Sequence, residues 1–151
     1  MKEDHVVRKK KPQAEVCMED MFAKKTCPVG ITSYKEVVEE CYYVDKTLLI
    51  KNIIDDHSKV FLFARPRRFG KTLMMDMVRT FFEKTDKDTS NYFEDKNIWQ
   101  AGERYQDYQG KYPVIYLSFK DAHQTNWKEM YKSLCFTIRE EFSRHIDLMA
   151  S

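Results

Sequence analysis

No apolar run in this sequence approaches the roughly 20 residues that a membrane-spanning helix needs. The N-terminus is basic but has no apolar stretch behind it, so it does not read as a secretory signal. Cys17, Cys27, Cys41 and Cys135 form no C-x-x-C pair and have no histidine at zinc-finger spacing. Reduced thiols are therefore expected, not disulfides or zinc ligands. Glycine and proline, four of each in 151 residues, are too few for a long linker or a low-complexity tract. An excess of one charge is also lacking. Lysine and arginine total 26 against 24 acidic residues, and the net +2 gives no global argument for nucleic acid. The expected location is cytoplasmic, with no membrane partner.

What remains is an ordinary globular composition, 42% hydrophobic and 33% charged, in a chain long enough for one real core. Residues 1–26 are polar and read as a solvated arm, with Arg8, Lys9, Lys10 and Lys11 as its sharpest feature. Residues 27–151 read as one domain. Ser33 with Glu36 three residues on is a capping box that opens a short helix ending near Cys41. Asp45 is a candidate cap for the next helix, whose apolar face is Leu48, Leu49, Ile50, Ile53 and Ile54.

The most specific stretch is Arg65-Pro66-Arg67-Arg68-Phe69-Gly70-Lys71-Thr72. An apolar run, Val60–Ala64, precedes it, and a strongly apolar segment starts at Leu73. Strand, tight loop and helix is the context in which Gly-Lys-Thr holds phosphate. Loop and first-turn N–H groups point at an anion, and the helix dipole adds positive potential. The lysine neutralises phosphate charge, and the threonine hydroxyl completes Mg²⁺ coordination. Arg65 stands where the usual G-x-x-x-x-G-K-[ST] pattern has its first glycine, and Pro66 offers a turn with fixed φ in compensation.

Gly30-Ile31-Thr32-Ser33-Tyr34, Tyr42-Tyr43-Val44-Asp45-Lys46-Thr47, Arg65–Thr72 and Tyr112–Asp121 follow one another in an order that resembles the predicted AAA-ATPase-like family of microbial proteins. The similarity runs from about residue 28 to about residue 145. It implies an α/β P-loop NTPase fold, a three-layer αβα sandwich, with an incomplete sheet because the chain stops after the second strand-helix unit. It implies ATP binding with Mg²⁺ through a variant Walker A loop. Arg65, Pro66, Arg67, Arg68, Phe69, Gly70, Lys71, Thr72 and Leu73 would line the nucleotide, and Thr72 would reach the metal. Arg67 or Arg68 would either touch the terminal phosphate or be solvated. Ile31 and Tyr43 would lie near the base or, the stronger reading, in the core. Members of the family often carry a PD-(D/E)XK nuclease-like domain further on, for which this chain has no room.

The helix after the loop, about 71–84, is apolar almost all round: Leu73, Met77 and Phe81 form one row, and Met74, Val78 and Phe82 the next. Residues 86–111 read as a polar excursion with one or two short helices. Its aromatics are interleaved with Lys96, Arg104 and Lys111, which Glu94, Asp95, Glu103 and Asp107 oppose, and this argues against nucleic acid. A second strand is expected at about Val114–Phe119. Asp121 at its end is a Walker B candidate on pattern alone. The resemblance places the Mg²⁺ carboxylate on a later strand that this sequence does not contain, which leaves Asp121 as a turn residue and His123 as a loop histidine. Asn126 with Glu129 caps a last helix carrying Trp127, Tyr131, Leu134, Ile138 and Phe142.

Two functions stay open at this point. One is nucleoside triphosphate binding by the N-terminal part of an AAA-like ATPase, with hydrolysis by this chain alone not expected. The other is a non-catalytic interaction module, which self-associates or pairs with a missing C-terminal half through open strand edges.

Overall fold

The computed structural model describes residues 25–28, 30–119 and 125–146. Among the described residues six α-helices and one 3-10 turn account for the regular structure: α1 (Tyr34–Glu40), α2 (Leu48–Asp55), α3 (Lys71–Phe82), the 3-10 turn Ser90–Tyr92, α4 (Asn97–Gln100), α5 (Glu103–Gln106) and α6 (Trp127–Ser143).

The helix starts follow their local chemistry. Ser33 Oγ accepts the Glu36 N–H at 3.5 Å, and Asn126 Oδ1 accepts the Lys128 N–H at 2.9 Å. Asp45 works differently from a simple cap. One of its oxygens accepts from the Thr47 N–H and hydroxyl at 2.8 and 2.7 Å, and the other accepts the Asn97 N–H at 2.7 Å. Buried Thr47 in turn accepts the Ile98 N–H. The Asp45–Thr47 corner therefore holds the starts of α2 and α4 together.

The core gathers Tyr34, Ile50, Met74, Met77, Phe81, Phe93, Ile98 and Tyr105. α1 lies on α3, α2 on α4, and α4 on α5. Tyr34 and Phe93 stack at 5.1 Å, and Phe81 meets Phe93 edge-on at the same distance. Burial pushes the Tyr34 phenol far up, and its hydroxyl donates to the Tyr92 carbonyl. The aromatics of the excursion are thus core members, not an exposed stacking surface. Asp76 on α3 accepts the Tyr34 N–H at 2.8 Å, which supplies the first turn of α1 with a partner from another helix.

The expected α/β sandwich is not formed. Among the described residues there is no strand and no sheet, only two isolated parallel bridges, Thr26 with Cys41 and Glu83 with Tyr112. The run Val60–Ala64 has no regular secondary structure, and among the described residues no backbone hydrogen bond joins it to another segment. Residues 114–119 are held by side chains instead of a neighbouring strand: Glu141 accepts the Tyr116 N–H, and His145 bonds the Val114 carbonyl. Apolar sequence made both segments look like strands. A strand also needs a hydrogen-bonded neighbour, and among the described residues neither has one.

Candidate functional site

The loop Arg65–Thr72 joins the run Val60–Ala64 to α3. Gly70 caps α3 in the left-handed conformation, φ 69°, a position where glycine avoids the strain of a side chain. Arg68 adopts nearly the same angle, φ 68°, without that freedom. Arg65, Pro66, Arg67, Arg68, Phe69, Gly70 and Lys71 are exposed, Thr72 and Leu73 half-buried. The Lys71 ammonium turns back and donates to the Arg65 carbonyl at 2.6 Å, closing the loop on itself. Among the described residues none of Arg65, Arg67, Arg68 and Lys71 makes an ion pair, so the loop is a concentrated cationic surface.

An apolar cavity of about 290 Å³ lies beside Gly70, bordered by Tyr42, Tyr43, Val44, Leu73, Met74 and Met77. Tyr43 is chiefly a packing residue. Its ring meets Tyr34 edge-on at 5.3 Å, its hydroxyl bonds the Met77 sulfur at 3.2 Å, and burial pushes its pKa up to about 12.

This arrangement corrects the nucleotide reading. A Walker A loop binds ATP because a β-strand anchors its first residues and the sheet holds the cradle open against the helix. Here that scaffold is absent among the described residues. ATP and Mg²⁺ as cofactors, Thr72 as their ligand, and a nucleoside triphosphate as partner lose their structural basis with it. Asp121 and His123 lie outside the described residues, as do Cys17 and the basic cluster Arg8–Lys11. Cys27, Cys41 and Cys135 are free thiols.

The densest polar constellation is one that the motifs did not mark. Glu83, just after α3, bonds Arg79 at 3.0 Å and also Arg144. Arg144 bonds both oxygens of Glu141 at 2.8 Å, and Glu141 accepts the Tyr116 N–H at 2.8 Å. His145 Nε2 lies 2.8 Å from the Val114 carbonyl and 3.9 Å from Glu83. Burial disfavours the Glu141 carboxylate, but the Tyr116 N–H and the Arg144 guanidinium outweigh it and lower its pKa. Glu83, Glu141 and His145 each bring a donor atom within 4.8 Å of the others, the spacing of a metal site. Arg144 already neutralises both carboxylates, and the Val114 carbonyl requires a proton on His145 Nε2. The group therefore reads as an ion lock joining α3, α6 and the 114–116 segment. The sequence signals for it are local ones, Arg79 and Glu83 at i, i+4 and Glu141, Arg144 and His145 at i, i+3 and i+4 near the end of α6.

Among the described residues no helix is long and apolar enough to cross a membrane. A family model described as Predicted AAA-ATPase matches residues 28–149. An uncharacterized protein in the vnfD 5′ region of Azotobacter chroococcum mcd 1 is 31% identical over 100 residues, which is 65% of this chain and 18% of that protein. The chain thus spans less than a fifth of that curated relative. No solved structure matches the chain. The family match concerns sequence, and the P-loop NTPase core that the resemblance implied is not what the structure forms. By sequence, this chain belongs to the predicted AAA-ATPase family.

Proposed function

We propose that this chain is a polypeptide-interaction module, which takes up an extended apolar segment alongside Val60–Ala64. One observation carries the reading. Val60 and Leu62 are 83% and 89% exposed, and among the described residues the run has no backbone hydrogen-bond partner. Phe63, next to Leu62, packs against the core. The segment is thus anchored by one side chain and leaves both apolar side chains and main-chain groups free for an incoming strand. Main-chain hydrogen bonds would then give affinity and alternate side chains specificity. Arg65, Arg67 and Arg68 at the end of the run favour a partner with acidic side chains at that point. A segment from the remainder of a longer family member fits this description, because the chain spans only 18% of its Azotobacter relative.

The test is binding to an immobilised set of overlapping peptides that covers that relative. Peptides with alternating apolar residues and an acidic end are expected to bind, and Leu62→Asp to weaken them about tenfold or more, or ~1.4 kcal/mol. Because Leu62 faces solvent, the variant is expected to keep its melting temperature. Equal binding by the variant, or no binding by any peptide, would remove the proposal.

A further inference from the structure

We infer that α6 is a self-pairing helix, which joins two copies of this chain antiparallel about a two-fold axis near Leu134 and Cys135. This goes beyond the peptide-binding reading and concerns a different surface.

Trp127, Tyr131, Leu134, Ile138 and Phe142 fall within an arc of roughly 80° at 3.6 residues per turn. They make an uncharged stripe along the whole helix. The stripe is open: Trp127, Tyr131, Ile138 and Phe142 are 69, 57, 42 and 42% exposed. An amphipathic helix normally buries such a stripe. Glu141 is the one buried residue that α6 contributes, through the ion lock. Met130 and Leu134 are half-buried, and the other four residues of the stripe are left exposed.

Three features select a second copy as the cover. The first is positional symmetry. Trp127 lies as far before the Leu134–Cys135 midpoint as Phe142 lies after it, and Tyr131 as far before it as Ile138 lies after it. Turned end for end, the helix sets Trp127 on Phe142 and Tyr131 on Ile138, with Leu134 beside Cys135 at the centre. An isologous two-fold contact requires that self-complementarity. The second feature is the helix dipole. Antiparallel pairing sets opposite helix ends together, and parallel pairing sets like ends together. The third is area. Aromatic side chains bury roughly 150–250 Å² each, so these exposures leave roughly 400 Å² per copy and roughly 800–1,000 Å² per pair. That is below the standard size of a stable interface and fits a weak, reversible contact, to be sought at tens to hundreds of micromolar.

Sedimentation velocity of the full chain across that concentration range tests the inference. The mass is expected to double with concentration. Tyr131→Glu, at an exposed position, is expected to weaken the pair at least about tenfold with an unchanged melting temperature. Leu62→Asp is expected to leave the pair intact, so this test and the peptide test fail separately. Cys135 is exposed and would lie beside its own copy at the axis. Mild oxidation should therefore give a covalent dimer that Cys135→Ser abolishes. In the Cys135→Ser background, Lys128→Cys should not couple to itself, because the two ends of α6 lie apart. A monomer throughout, a dimer indifferent to Tyr131→Glu, or a covalent dimer formed through the thiol that Lys128→Cys introduces would each overturn it.

Discussion

Phe81→Ala is expected to lower stability by ~3–5 kcal/mol, the usual cost of emptying a fully buried aromatic site. Phe81 has no solvent exposure, meets Phe82 and Phe93 edge-on at 5.1 Å, and belongs to the same cluster as Tyr34 and Met77. Its loss separates α3 from the Phe93 turn and leaves a void between two rings that cannot close on each other. A domain of this size should melt roughly 10–20 °C lower. Chemical denaturation followed by tryptophan fluorescence measures the change. Phe81→Leu, which keeps most of the volume, should recover the greater part of it. Equal stability for the alanine variant and the parent would mean that the cluster is not the core.

The ion lock should be nearly as sensitive. Glu83→Gln keeps the shape but removes the charge that Arg79 and Arg144 both face, and is expected to cost ~2–3 kcal/mol. The arginines are partly exposed, which keeps the cost below that of a fully buried pair. A pH dependence follows from Glu141, whose carboxylate is held below its ordinary range in the folded chain. A depressed folded pKa contributes stability above the unfolded value, about 4.3 for glutamate, and that stability is lost as pH falls through the folded value. The melting temperature should therefore drop on acidification below about pH 4.3. Glu141→Gln should flatten that acid limb while lowering stability at neutral pH. A limb of unchanged steepness would assign the acid sensitivity to other carboxylates.

The helices were legible because helix starts are local. Ser33, Asn126 and the rows Leu73–Met77–Phe81 and Met74–Val78–Phe82 carry their own caps and faces within a few residues. The observed bounds Tyr34–Glu40, Leu48–Asp55, Lys71–Phe82 and Trp127–Ser143 follow them closely. The two apolar runs were misread for the opposite reason. Val60–Ala64 and Val114–Phe119 satisfy the composition of strands, but the bonds that make a strand lie in another segment, and composition does not specify one. The misreading passed to the site, since the phosphate reading of Gly70-Lys71-Thr72 depended on a strand before it. The ion lock was illegible for a third reason. Glu83 and Arg144 are 61 positions apart, and nothing local links them.

The far end of α3 and the Asp45–Thr47 corner bear on what a protease would do to this chain. The Phe81 and Phe82 carbonyls accept the Gly110 and Tyr112 N–H groups, both at 2.9 Å, across the whole excursion. Asp45 reaches Asn97 over 52 positions. Between these ties, residues 84–88 are exposed and include Lys84 and Lys87. Where trypsin cuts there, the two pieces should stay together as a folded, nicked molecule. Covalent continuity at 84–88 is dispensable once the fold has formed: the excursion is stitched to the body at its far end, so its near end can be open.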